Sequence, residues 1–247
     1  MLFQNFKKYT PQIIKNILLR IISFYSWKPH QVIIYSQGGE DLILEGILGN
    51  KKTGFWVDVG AHHPQRFSNT YLFYKRGWRG INIDALPGSM KLFKKLRPND
   101  INLEIPIFKE HKKLTYYQFK ESALNGFESE IAIQRNSNPT NSIIRKIEMT
   151  GYPLRDVLKN HLPYNIQIID FLTIDVEGLD LQVLESNDWT TYRPRVVVVE
   201  ILDKPIYELE NHLIVVFMKK NGYQLYSKSN QSAFFISNEY QVERETC

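Results

Sequence analysis

The groups in this sequence best placed to do chemistry are carboxylates at the ends of apolar runs. Asp58 lies near the end of Phe55-Trp56-Val57, Asp84 closes Gly80 to Ile83, Asp175 closes Ile166 to Ile174, and Glu200 closes Arg195 to Val199. In an open α/β sheet such acids meet in one crevice outside the carboxyl ends of the strands, and one about 20 positions past the first turn can hold ribose hydroxyls. Asp84 is that candidate. Asp175 and Glu200 end two runs read as adjacent central strands. Together they could take a proton from a hydroxyl or, with a third polar group, hold a hard cation such as magnesium or manganese. Glu177, His62 and His63 stand beside these acids and are further candidates for moving a proton. Each also has a plain reading: Glu177 as a first-turn acid stabilised by a helix dipole, the histidines as structural parts of a loop.

The elements that must position these groups follow from the pattern. Phe55 to Asp84 reads as one βαβ unit: a strand, a small-residue turn at Gly60-Ala61, a helix capped by Ser68 or Asn69 and stopped at Gly77, and a second strand. A polar loop with Gln37 feeds a helix that carries Glu40 and Asp41 in its first turn. Beyond Asp84 we expect a helix over Pro87–Leu96 with a solvated lysine face, strands over Ile101–Ile107 and Leu114–Phe119, and a helix over Tyr152–His161. A strand over Ile166–Ile174 should follow, with a helix opening at Glu177-Gly178. The last elements should be a strand over Arg195–Ile201, a helix over Ile206–Asn221, and strands over Tyr223–Tyr226 and Ala233–Ile236. Residues around 121–150 lack a strong periodic signal. Loops that long are uncommon unless functional, so the segment reads as a substrate lid.

With 247 residues, of which 43% are hydrophobic, the chain can bury a real core. We read one α/β domain over residues 31–247 and a basic amphipathic helix within residues 1–30. The net charge of +5 equals the charge of Lys7, Lys8, Lys15, Arg20 and Lys28, which lie in a segment with no acid. The positive excess therefore belongs to one terminal segment rather than to a binding face, which argues against nucleic acid. Ile13, Ile14, Ile17, Leu18, Ile21 and Ile22 form a helical stripe interrupted by Lys15 and Arg20. It is too polar to span a bilayer and suits packing on protein or lying on an anionic membrane surface. The single cysteine, Cys247, excludes intrachain disulfides and fits a reducing, cytoplasmic setting.

Five motifs in order, SQGGEDLIL, WVDVGAHHPQRFSNT, GWRGINIDA, LTIDVEGLDLQVLE and RPRVVVVE, resemble the FkbM family of S-adenosylmethionine-dependent O-methyltransferases, over about Tyr35 to Tyr226. The branch with Ser68-Asn69-Thr70 is similar to sugar methyltransferases of bacterial capsule and lipopolysaccharide biosynthesis. His62-His63-Pro64 stands where the family often has Asn and Gly, and Asp84-Ala85 where Glu-Pro is common. The resemblance implies a Rossmann-like class I methyltransferase fold, a seven-stranded, mostly parallel sheet with helices on both faces, plus the N-terminal helix. It implies S-adenosylmethionine over Asp58, Gly60 and Ala61, with its ribose on Asp84, and contacts to cofactor or acceptor from Gln37, Ser68 and Asn69. A dinucleotide is disfavoured because Gly60-Ala61-His62-His63-Pro64-Gln65 has one glycine where G-x-G-x-x-G needs three.

The expected reaction is methyl transfer to a sugar hydroxyl, with a nucleotide-linked acceptor. Asp175, Glu177 or His62 would manage the proton, and Asp175 with Glu200 would bind a divalent cation if one is used. A homodimer and a peripheral membrane contact through residues 1–28 are further expectations. The competing readings are a methyltransferase for a small secondary metabolite and a non-catalytic subunit that uses the fold for binding alone.

Overall fold

The computed structural model describes residues 12–27, 32–49, 51–120, 125–127, 142–202 and 204–246. The chain divides into two units, residues 1–34 and 35–247. The first contains helix α1, Gln12–Trp27. Ile13, Ile17 and Ile21 on it are exposed. No described helix is long and apolar enough to cross a membrane.

The second unit begins with α2 (Glu40–Leu48), β1 (Phe55–Val59), α3 (Tyr71–Lys75), β2 (Arg79–Asp84), α4 (Met90–Leu96) and β3 (Ile101–Glu104). A hairpin, β4 (Lys112–Phe119) with β5 (Ile143–Gly151), is followed by α5 (Leu154–His161), β6 (Phe171–Ile174), α6 (Asp180–Glu185) and β7 (Val196–Glu200). A short 3-10 turn at Ile206–Glu208, α7 (Leu213–Lys220), β8 (Tyr223–Lys228), β9 (Ser232–Ser237) and α8 (Asn238–Thr246) complete it. The main sheet has seven strands in the order β3-β2-β1-β6-β7-β9-β8. Only β9 runs against its neighbours. The chain leaves β1 toward β2 on one side and returns to β6 on the other, so the carboxyl ends of β1 and β6 form the switch-point crevice where ligands bind in such sheets.

Both faces of the sheet are covered, which is why β1 is buried along its whole length. Val57, Val59, Ile81, Leu172 and Val197 pack against Leu154, Leu158, Val183, Leu184 and Val215. Trp56, Phe171, Val196 and Phe234 pack against Leu44, Ile47, Phe73 and Tyr240 on the other face. Asp170, the charge inside an apolar run, is accommodated at the edge of this core. It accepts from Phe55 N at 2.9 Å and pairs with Lys51 and Arg195.

Several boundaries differ from the sequence expectations. Residues 143–151, expected within the lid, form β5, paired antiparallel with β4. More than half of β5 is exposed, and apolar alternation is confined to its last residues, Ile147 to Gly151, so its signal is weak. Residues 121–124 and 128–141 of the expected lid lie outside the described residues. The helix expected at Glu177-Gly178 starts instead at Asp180, because Glu177 (φ 57°) and Gly178 (φ 108°) are both left-handed. The single helix expected over Ile206–Asn221 is a 3-10 turn and then α7, which begins after His212. Helix α3 follows Thr70 rather than Ser68 or Asn69, although Ser68 Oγ still accepts from Tyr71 N at 3.1 Å.

Candidate active site

The turn after β1 sets the geometry. Gly60 (φ 88°) and Ala61 both donate to Ile83 O, at 2.9 and 3.0 Å, so the turn folds back over the end of β2. A Cβ on Gly60 would stand 1.7 Å from Asp175 O. Only glycine lets the exits of β1 and β6 approach this closely. They open into a cavity of about 440 Å³, within the ~300–1,000 Å³ usual for small-molecule sites.

Its floor and walls gather most of the expected residues: Gln37, Gly60, His62, Asn69, Asp84, Asp175, Glu177 and Glu200 all line it. Asp58, Ala61 and Ser68 do not; they lie beneath the loop. Strand alternation turns Asp58 onto the Trp56 face, where Thr70 Oγ1 donates to it at 3.1 Å. Ala61 packs on Met90 and Phe93. Ser68 is buried against Thr70. Their part is to shape the loop, not to line the cavity.

Asp84 joins two loops. Its Oδ2 accepts from His62 N at 3.0 Å and its Oδ1 from Leu86 N at 2.8 Å. Burial raises its pKa, against the pull of these backbone bonds. Each oxygen keeps lone-pair capacity for a further donor. Ser89 Oγ lies beside this carboxylate, buried and without a well-directed hydrogen bond. His63 is a structural residue: its Nδ1 accepts from Gln65 N and Arg66 N at 3.1 and 2.9 Å, and burial, then His62 and Arg66, lower its pKa. Asn69 Nδ2 donates to Thr173 Oγ1 at 2.9 Å across the crevice.

The mouth of β6 is crowded with acids. Asp175 is open to the cleft, yet protein surrounds it at longer range. Withdrawal from bulk water, and then the charges of Glu200, Glu177, Asp180 and Asp58, raise its pKa well above the carboxylate range. Water in the open cleft screens part of this effect, and a ligand that expels the water strengthens it. Asp180 holds the turn, accepting from Val176 N and Gly178 N at 3.2 Å each. Among the described residues His62 (φ 50°), Phe67 (φ 56°) and Glu177 (φ 57°) are the non-glycine residues with left-handed backbone, and all line this one cavity. Strained backbone concentrates at functional sites because the surrounding structure must over-determine it.

A family model for the methyltransferase FkbM domain matches residues 58–225. The chain belongs to the FkbM methyltransferase family. Searches of curated proteins and of solved structures returned no match. The family implies S-adenosylmethionine as the cofactor, and the residues present fit it. Asp84, with spare acceptor capacity, and the orphaned Ser89 hydroxyl match a ribose diol. Ala85, Leu86, Ile105 and Ile107 offer an apolar wall for a flat base. The carboxylates suit a ligand that carries a sulfonium and an ammonium. Among the described residues no group of three or more His, Cys, Asp or Glu side chains stands where it could hold a metal, so no such site supports the divalent-cation expectation for Asp175 and Glu200.

The sequence reading missed what supports the loop of this FkbM domain. Arg97 is fully buried. It donates to Asp100 at 2.8 Å, to Thr70 Oγ1 and Asn82 Oδ1 at 3.0 Å, and to Pro64 O at 3.4 Å. The guanidinium lies 5.1 Å from the ring centroids of Trp56 and Tyr74. One side chain thus ties the cofactor-side loop, through Pro64 and Thr70, to the end of α4. The signal was present as polar residues, Asp58 and Asn82, inside strands otherwise apolar.

Proposed function

We propose that the chain is an S-adenosylmethionine-dependent O-methyltransferase acting on a sugar hydroxyl, with a nucleotide-activated sugar of bacterial capsule or lipopolysaccharide synthesis as acceptor. The observation that carries this reading is Asp175, open to the cleft beside Glu200 and directly against the Gly60 turn. A carboxylate whose proton affinity is raised toward working pH is suited to accept a hydroxyl proton. The cofactor supplies a methyl carbon activated by its sulfonium. Asp84 and Ser89 hold the ribose, and the Gly60 turn lets the backbone approach the amino-acid end. Asp175 receives the acceptor's proton. Glu200 raises the proton affinity of Asp175, and Gln37, Asn69 and Gln231 add hydrogen-bonding groups suited to a polyhydroxyl acceptor.

Transfer of labelled methyl from S-adenosylmethionine to a panel of nucleotide sugars tests this. The wild type should label at least one, and Asp175→Asn should lose about 100-fold or more in kcat while retaining the cofactor. Undiminished turnover in the variant would remove Asp175 as the base. A cytoplasmic location, a homodimer and a peripheral membrane contact through residues 1–28 belong to the same proposal. Light scattering and flotation on anionic vesicles, with and without residues 1–28, test the last two.

A further inference from the structure

Phe67 is the bulky side chain in the strained trio, and its position has a cause. On one side His63 Nδ1 holds the N–H groups of Gln65 and Arg66; on the other, Ser68 N donates to Tyr35 O at 3.1 Å and Ser68 Oγ binds Tyr71 N. Pinned between them, Phe67 takes φ 56°, a region costly for a bulky residue. The residue stays 41% exposed at the cavity instead of entering the core. The Arg66 guanidinium sits 4.3 Å from the Phe67 ring's centroid. Arg66 also lines the cavity, where it is the only Arg or Lys among the described residues; the other charged groups are Glu40, Asp84, Asp175, Glu177 and Glu200, with His62 and His63 beside them.

We infer that Arg66 and Phe67 form the acceptor-binding lip, which takes a sugar that carries an anionic group. The inference rests on the methyltransferase reading and names its substrate class. A flat aromatic face, negative at its centre, fits the C–H face of a pyranose ring. An anionic substituent on that sugar would be repelled by the carboxylates around the cavity and drawn to Arg66, whose planar fork matches phosphate or carboxylate. The strain at Phe67 keeps the ring presented before the acceptor arrives.

The test uses the full chain saturated with S-adenosylhomocysteine and saturation-transfer NMR titrations of three probes: methyl α-glucopyranoside, glucose 1-phosphate and methyl α-glucuronide. At least one charged probe should bind about tenfold tighter than the neutral glycoside, the size expected of a charge-assisted hydrogen bond. Binding of the phosphate alone assigns a phosphate handle, and of the glucuronide alone a carboxylate handle. Arg66→Gln should abolish the preference for charge, and Phe67→Ala should weaken all three. Phe67→Gly, which suits the left-handed backbone, should lose the probes without losing thermal stability, separating contact from folding. Affinity for S-adenosylhomocysteine should stay within about twofold in every variant. Equal binding of neutral and charged probes, variants that bind as the wild type does, or no probe bound by the wild type would each overturn the inference. Failure of the wild type to bind S-adenosylhomocysteine would count instead against the cofactor reading.

Discussion

Asp58 and Asp175 are carboxylates on the exits of neighbouring strands, and their surroundings could hardly differ more. Asp58 is buried, accepts from Thr70, and has the Arg97 guanidinium as its main favourable charge. Asp175 opens onto the cleft among Glu200, Glu177 and Asp180, with no cation among the main influences on its charge. The first region is complete within the chain: Arg97, Asp100, Asn82 and Thr70 satisfy one another. In the second, like charges surround Asp175, and such a cluster gains most from a ligand that brings positive charge or donates protons. One region maintains the shape of the crevice; the other is available for work.

That contrast breaks first at Arg97. Arg97→Met leaves Asp100 buried without its cation, and losing one partner of a buried pair costs about 3–5 kcal/mol. Denaturant unfolding should show a loss of this size; one below about 1 kcal/mol would mean the network is not structural. Asp175→Asn should do the reverse. It removes a charge from a repelling cluster, so stability should hold or rise while turnover collapses, which thermal melts and rates on the same preparation will show. Glu200→Gln sharpens the point: with the neighbouring charge gone, Asp175 ionises more readily, and the acidic limb of the kcat profile should move to lower pH. An unmoved limb would uncouple the pair.

Asp58 sharpens the comparison through pH. Burial lifts its pKa from 3.8 to about 7, so the folded chain binds this proton more tightly than the unfolded one. The stability it contributes is complete below pH 3.8 and is lost as pH rises through about 7. Asp58→Asn should flatten the melting temperature against pH across that window. An unchanged slope would show that Asp58 stays ionised beside Arg97.

What the sequence disclosed follows the same division. The βαβ unit, Gly60, and the acids at Asp84, Asp175 and Glu200 were legible because a buried strand followed by a glycine and a carboxylate is a local pattern. Arg97 was not. It follows three lysines of an exposed helix face, and nothing local distinguishes a guanidinium that turns inward. Of its partners, Asn82 inside an apolar strand was the one hint; Thr70 and Asp100 look ordinary until the sheet brings them together. β4 was legible from Leu114 to Phe119, but its partner β5 escaped because more than half of it is exposed and it lies far from β4 in the chain. The left-handed backbone at Phe67 and Glu177 could not be read either, since it is set by side-chain bonds that form only once the loops fold, from His63 and Ser68 around Phe67 and from Asp180 around Glu177.

The most direct measurement is calorimetric titration of S-adenosylmethionine into the wild type and Asp84→Ala. Micromolar binding by the wild type, weakened in the variant by about 1.5–3 kcal/mol as expected for a hydrogen bond to a charged partner, is the predicted result. No heat of binding in the wild type, or equal affinity in both, would contradict the placement of the cofactor in this crevice.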